Sequence, residues 1–409
     1  MQNCRFCKTP LKQKVLDLGE TPYANAYLKA EDLKKTESKF PLNVYVCESC
    51  FLMQLGYCAD PKDLFDSYSY FSSYSTSWVK HAALYVEIMV HRFVMDASWQ
   101  VIEIASNDGY LLQHFLQKGI PVLGIEPAQN VARVAEEKGI PTQAVYFNIE
   151  TAKNLTSQGI KADVLIGNNV LAHVPDINDF VASLKHVLSH RGVVTMEFPH
   201  LKKMLECNEF DTIYHEHFFY HSLTTVSKIF AAHGLEIFDV EELLTHGGSL
   251  RVFAKHQAFK NYSTNPSVAR ILKEEEKAGL KRLATYQQFS EKVALVKNDL
   301  LAFLLQAKAE GKTVVGYGAP AKGNTLLNYC QLDSSALEFT VDKSPHKQGF
   351  YLPGTHIPIH GPEKIFATKP DYILILPWNL RQEIMKEMQA VREWGGQFVV
   401  PIPHLQVLS

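Results

Sequence analysis

The chain has 409 residues, of which 46% are hydrophobic and 11% aromatic, with a formal net charge of −2. That length exceeds one typical domain, and that composition builds cores, which excludes intrinsic disorder. The near-neutral balance excludes the basic footprint that phosphate-backbone binding needs, and no apolar run approaches a membrane span. The first ten residues, MQNCRFCKTP, carry no apolar stretch of a secretory leader. A soluble cytoplasmic protein is expected, a monomer or weak homo-oligomer without nucleic-acid or membrane partners.

Four of the seven cysteines form two pairs, Cys4 and Cys7 in CRFC, Cys47 and Cys50 in CESC. Each C-x-x-C puts two thiolates on one tight turn, and two such turns complete a tetrahedral Zn²⁺ shell. The gap between them is longer than in a compact zinc ribbon, so DLGETPYANAYL and FPLNVYVCESC are expected to form strands and a loop. Four thiolates leave no open position, so this zinc is structural. The competing interpretation is a set of unrelated core thiols. Cys58, Cys207 and Cys330 stand alone and read as inert. A zinc-binding domain is expected over residues 1–72. At its end, DLFDSYSYFSSYSTSWVKHA (63–82) has the composition of a linker but the aromatics of something packed. It either covers a core or lines a site with its hydroxyls.

Residues 73–262 alternate strands and helices. WQVIEIAS, PVLGIEP, IPTQAVYF, ADVLIGNN and GVVTMEFP read as strands; YLLQHFLQKG, AQNVARVAEEKG and VPDINDFVASLKHVL read as helices between them. SLTTVSKIFAAHG, LEIFDVEEL and SLRVFAKH add a helix and two strands. This is the rhythm of a doubly wound parallel sheet. The first strand ends in Glu103, Ser106, Asn107, Asp108 and Gly109, and the second in Glu126. A small glycine-bearing turn at the switch point admits a ligand, and a carboxylate closing the second strand suits both ribose hydroxyls. The spaced glycines of a dinucleotide fingerprint are missing, so no pyrophosphate cradle is expected. S-adenosylmethionine, which has no phosphate and a polar amino-acid end, suits the turn better. Asn168, ending the fourth strand, is expected at the same crevice. His173 in the following loop reads as packing.

Residues 263–310 read as a connector of two helices. Residues 311–409 read as a second α/β unit, in which KTVVGYGAPAKGNTLL holds Gly316, Gly318 and Gly323, with Asp342 following. Alone, this turn suggests a nicotinamide site and a dehydrogenase, but its spacing departs from G-x-G-x-x-G. A helix N-terminus with Lys322 and Asn324 is also a diphosphate site. Trp378 and Asn379, in LPWNLR, are placed to stack on and bond a nucleobase, and Arg251, in HGGSLRVF, is a second phosphate candidate.

The densest stretch is IYHEHFFYHS, residues 213–222. In a turn, Tyr214 and His217 share a face three residues apart, and His215 points elsewhere. An imidazole is the natural base for a reluctant proton near neutral pH, and a phenol or carboxylate beside it fixes a tautomer or meets an oxyanion. The competing interpretations are a metal held by His215, His217 and His221, and plain core packing.

These residues together carry a family resemblance. The two C-x-x-C knuckles, YANAYL, SSYSTSWVKHA, EIASNDGYLL, GIEPAQN, EFDTIYHEHFFYHSL, HGGSLRVF, GYGAPAKGNTLLNY, VDKSPHKQGFYLPGTHIPI and LILPWN resemble, in order and over essentially the whole chain, the sugar C-3′-methyltransferases of deoxysugar pathways. The resemblance implies an α/β fold. In it, a doubly wound S-adenosylmethionine-dependent methyltransferase sheet is flanked by an N-terminal zinc module and a C-terminal Rossmann-like substrate-binding domain. It implies a nucleotide-linked 4-keto-6-deoxy sugar as acceptor, dTDP in preference to GDP, methylated at C-3. The family's Tyr-x-Glu-His signature falls on Tyr214, Glu216 and His217, with His217 as the base. A tyrosine of SYSYFSS, Tyr68 or Tyr70, is implied at the sugar. The remaining alternatives are an NAD-dependent sugar oxidoreductase and a zinc-dependent scaffold with empty crevices.

Overall fold

A computed structural model describes residues 2–65 and 71–409; the expected sugar-contacting Tyr68 and Tyr70 lie outside the described residues. The chain opens with a meander of β1 (Gln13–Thr21), β2 (Phe40–Val46) and β3 (Met53–Leu55), all antiparallel. Alternation in β2 buries Leu42, Val44 and Val46 on one face, as the period of a strand requires.

The Ser/Tyr-rich run gives way to an 18-residue helix, Thr76–Phe93, that the composition concealed. Ser75 caps it by accepting from the Trp78 amide, and Ala82, Tyr85, Val86 and Met89 bury its inner face at helical spacing. Then come β4 (Val101–Ile104), β5 (Val122–Ile125), β6 (Thr142–Gln143), β7 (Ala162–Asn168) and β8 (Leu188–Pro199). They are parallel, as the βαβ rhythm requires. The strand expected over 140–147 shrinks to β6, and a helix absent from the reading, Ile149–Ser157, follows it.

Next, β9 (Phe219–Tyr220) leaves this unit and pairs antiparallel with β3, Met53 facing Tyr220, as the fourth strand of the N-terminal sheet. β10 (Leu235–Leu243) and β11 (Ser249–His256) return to the large sheet, whose order is β10-β11-β8-β7-β4-β5-β6. β4 lies between β5 and β7, so the switch point falls at its carboxyl end, where Glu103 and the glycine turn sit.

Two helices, Pro266–Lys277 and Leu283–Ala309, form the expected connector. The second buries Tyr286, Phe289, Val293, Val296, Leu300, Leu304 and Ala307, an apolar stripe three to four residues apart. The last sheet holds β12 (Val314–Tyr317), β13 (Thr340–Val341), β14 (Ile359–His360), β15 (Tyr372–Ile375), β16 (Gln397–Val400) and β17 (Gln406–Leu408). Its order is β14-β13-β12-β15-β16-β17, and all pairs but the last are parallel. It docks through specific polar contacts. Thr325 Oγ1 donates to the Ile213 carbonyl at 2.8 Å, Asn324 Nδ2 to that of Ala24 at 2.6 Å, and Tyr27 Oη to that of Ala319 at 2.6 Å. No helix among the described residues is long and apolar enough to cross a membrane.

Candidate active site and metal centre

The four expected cysteines converge. Cys4 and Cys50 sulfurs lie 3.6 Å apart, Cys7 and Cys47 3.4 Å, and all four lie within 4.8 Å of one another. Four thiolates about 2.3 Å from one ion are spaced this closely, so the donor set fits tetrahedral Zn²⁺. Gln54 Nε2 donates to Cys4 Sγ at 3.2 Å, the outer contact a thiolate ligand needs.

At the carboxyl edge of the large sheet, Glu103 is 1% exposed and neither of its oxygens has a hydrogen-bond partner. Burial pushes its pKa well above the carboxylate range, opposed by the Tyr110 phenol beside it. Ser106 Oγ and Asn168 Oδ1 are also buried without partners. Such orphaned groups are costly unless a ligand satisfies them. A cluster of one carboxylate, one hydroxyl and one amide fits the ammonium and carboxylate of S-adenosylmethionine. Glu126, closing β5, accepts from the Asn107 amide at 2.9 Å and the Ala128 amide at 2.9 Å. Burial raises its pKa against those two bonds. Asn107 also accepts from the Ser72 amide at 2.8 Å through Oδ1, so the described end of the Ser/Tyr run lines this crevice. Gly109 has φ +77°, and a Cβ there would fall 2.2 Å from Ile140 Cδ1. Asp108 pairs with Lys138 through Oδ2 at 3.1 Å, and its buried Oδ1 has no partner.

Arg251 corrects the reading of a phosphate candidate. It is 2% exposed and donates to Glu197 at 2.9 Å and Glu241 at 3.0 Å. Burial alone would raise the Glu197 pKa, but His81 and Arg251 outweigh it and hold the carboxyl below its usual value. The guanidinium is thus spent inside the sheet, and no phosphate reaches it. Its partner Glu197 also accepts from Thr245 Oγ1 at 2.9 Å. That bond fixes the turn bearing His246, a residue absent from the reading. His246 has φ +55°, accepts from Asn169 Nδ2 at 3.1 Å and meets the Trp78 ring edge-on at 5.4 Å. Only the glycine pair after it, in THGGS, marks the strained turn in the sequence.

The imidazole stretch forms a turn, closed by the His217 amide donating to the Tyr214 carbonyl at 2.9 Å. Their rings lie 4.0 Å apart, on the shared face expected. His217 Nδ1 lies 2.8 Å from the Thr212 carbonyl and can only donate to it, which leaves Nε2 as the acceptor. Burial drives the His217 pKa well below the ordinary imidazole value, and neighbouring His173 adds to the shift. His173, read as packing, meets His217 edge-on at 4.7 Å. The three imidazoles serve no common ion: His215 reaches the Phe40 carbonyl at 3.3 Å and His221 that of Leu171 at 3.1 Å. Among the described residues the four cysteines are the one group suited to a metal. Glu216 is buried and accepts from Asn25 Nδ2 at 2.6 Å; burial raises its pKa to about 7 against that bond.

In the C-terminal unit Asp342 spends both oxygens on backbone, accepting from Ala319 N at 2.7 Å and Ser344 N at 2.8 Å. It therefore holds the glycine turn, in the way that Glu126 holds the first one. Asn324 is committed to Ala24 through its amide nitrogen. Lys322 lies 4.3 Å over the Trp378 ring and donates to Asn379 Oδ1 at 3.0 Å. Trp378 Nε1 donates to Asp211 at 2.7 Å, drawing the middle unit to this cluster. Burial lowers the Lys322 pKa, opposed by Asp211 and Glu209. Burial raises Glu209 to about 8 and Asp211 to about 6, both opposed by Lys322.

Comparison with known proteins matches three stretches of the chain. Residues 4–65 match a family described as a putative zinc binding domain, 79–240 a methyltransferase domain, and 244–403 a C-methyltransferase C-terminal domain. C-methyltransferase NovU of Streptomyces niveus is 37% identical over 409 residues, covering 100% of this chain and 97% of that one. A ubiquinone biosynthesis O-methyltransferase of Bartonella bacilliformis is 24% identical over 24% of this chain and 40% of its own. Among solved structures, magnesium protoporphyrin IX methyltransferase of Synechocystis PCC 6803 with bound SAM aligns at 17% identity. That alignment covers 43% of this chain and 78% of that one, with a TM-score of 0.33.

Proposed function

Given that the chain belongs to the C-methyltransferase family its motifs resemble, we propose that it methylates C-3 of a nucleotide-linked 4-keto-6-deoxy sugar in deoxysugar biosynthesis, dTDP-linked in preference to GDP-linked. S-adenosylmethionine supplies the electrophilic methyl group. Glu103, Ser106, Asn107, Gly109, Glu126 and Asn168 are the residues that would hold it, with Asp108 supporting the turn through Lys138.

One observation carries the reading: His217 has its Nδ1 proton committed to a backbone carbonyl and its Nε2 lone pair left over, beside a phenol. Nε2 takes the C-3 proton, and the C–H electron pair moves into the enolate whose oxygen at C-4 meets the Tyr214 hydroxyl. The enolate carbon then forms its bond to the methyl as the C–S pair departs with sulfur. The low His217 pKa keeps the ring neutral and able to accept at neutral pH. A positioned base and enolate donor contribute about 10²- to 10⁴-fold. Glu216 and Asn25 brace the loop from the zinc module. Lys322, Trp378 and Asn379 face the nucleotide portion, Asn324 and Asp342 shaping the turn behind them.

The test incubates the protein with a dTDP-linked 4-keto-6-deoxy sugar in D₂O without cofactor, then with S-adenosylmethionine. Deuterium is expected at C-3 in the first case and the mass of one added methyl in the second. His217→Asn is expected to lose both and keep S-adenosylhomocysteine binding; normal turnover by that variant refutes the assignment.

A further inference from the structure

Arg5 sits between two zinc ligands, Cys4 and Cys7, and its side chain is half-buried. Its Nη2 donates to the Leu55 carbonyl at 2.8 Å and to the Phe218 carbonyl at 3.1 Å, and its guanidinium lies 4.9 Å from the Phe219 ring centre. Phe218 follows His217 in the chain. The Phe218 amide donates to the Ala172 carbonyl at 2.8 Å, one residue before His173. The Arg5 amide donates to Gln54 Oε1 at 3.0 Å, the same side chain that reaches Cys4 Sγ. Asn178 Nδ2 donates to the carbonyls of Arg5 and Phe6, each at 3.0 Å, tying the knuckle to the methyltransferase sheet's helix Ile177–Val187. The first knuckle is thus joined by one guanidinium to the backbone that carries the base.

We propose that Arg5 is a positioning residue for His217: the zinc knuckle sets the ring through the Arg5–Phe218 contact and the pairing of β3 with β9. The physical reason is leverage. A zinc-closed turn is among the stiffest backbone segments a small module can build, and a guanidinium bonding two carbonyls transmits that stiffness in a fixed geometry. A base displaced by about 1 Å loses on the order of 10²-fold in rate. The proposal rests on the reading of His217 as the base, and the experiment keeps the two separable.

Arg5→Met keeps the stem over Phe219 and removes the donors; Arg5→Lys keeps one charged donor. Four readings are taken on the full chain: zinc content, S-adenosylhomocysteine affinity, the ¹⁵N ring spectrum of His217 assigned by difference from His217→Asn, and C-3 deuterium exchange on the dTDP-linked keto sugar. Arg5→Met is expected to hold one zinc per chain and wild-type affinity for S-adenosylhomocysteine. Its His217 ring signal should move off the Nδ1-protonated pattern, and its exchange should fall about tenfold to hundredfold. Arg5→Lys should recover part of both. An unmoved ring signal with wild-type exchange in Arg5→Met overturns the proposal. So does loss of zinc or of S-adenosylhomocysteine binding, which makes Arg5 a support of the fold alone. If the wild-type protein exchanges nothing, the base assignment fails instead, and the ring spectrum by itself still decides the role of Arg5.

Discussion

The two glycine turns of this chain sit at equivalent places in their sheets and differ in which side chains are left unpaired. After β4, the polar groups are buried and left over: both oxygens of Glu103, the hydroxyl of Ser106 and the Asn168 carbonyl. After β12, Asp342 is bonded twice to backbone, the Asn324 amide nitrogen holds Ala24, and Lys322 holds Asn379. The first turn gathers an unpartnered carboxylate, hydroxyl and amide at one crevice, whereas at the second the orphans are the Asn324 side-chain carbonyl and the Tyr317 hydroxyl, and the charged groups dock against neighbours. The position of a turn in a sheet therefore sets where a ligand can bind, and the pairing of its side chains sets whether one is needed.

Substitutions at each turn test that contrast. Gly109→Ala has the largest expected effect, because a Cβ meets Ile140 and φ is +77°. About 3 kcal/mol of stability and S-adenosylhomocysteine binding should go together, read by denaturant titration and calorimetry. Next is a pH effect at the second turn. The folded Glu209 pKa of about 8 lies above the unfolded value, so the folded state binds the extra proton. That contribution is whole below pH 4.5 and is lost as pH rises through 8. Glu209→Gln should flatten this limb of the stability profile by on the order of a few kcal/mol; an unchanged slope would count against the buried carboxyl. The smallest is Glu103→Gln, which should weaken S-adenosylhomocysteine about tenfold while raising stability by about 1 kcal/mol, since it removes an unpartnered buried acid. Its counterpart Asp342→Asn should do the reverse, costing about 1 kcal/mol and leaving that affinity alone. Equal responses at the two turns would erase the distinction.

Much of this was legible in the residues, and the failures have a common cause. The cysteine knuckles, the strand cores and the turn from Tyr214 to His217 depend on neighbours a few positions away, which spacing reveals. Arg251 was misread because its partners Glu197 and Glu241 come from other strands, and an ion pair across a sheet leaves no local trace. The helix Thr76–Phe93 was hidden since serine and tyrosine suggest a loop, until Ala82, Tyr85, Val86 and Met89 are seen to share one buried face. Tertiary packing outweighed local propensity in each case.

β9 belongs by sequence to the middle of the chain and by hydrogen bonding to the first sheet. During synthesis, the edge of β3 stays unpaired until residues 219 and 220 have left the ribosome, with five of the seven strands of the large sheet made in between. The zinc module is therefore translated well before its last strand and is among the last parts to be finished, a long-range closure that folds slowly and exposes a sticky edge meanwhile. An isolated fragment ending near residue 72 would carry that open edge permanently and should self-associate.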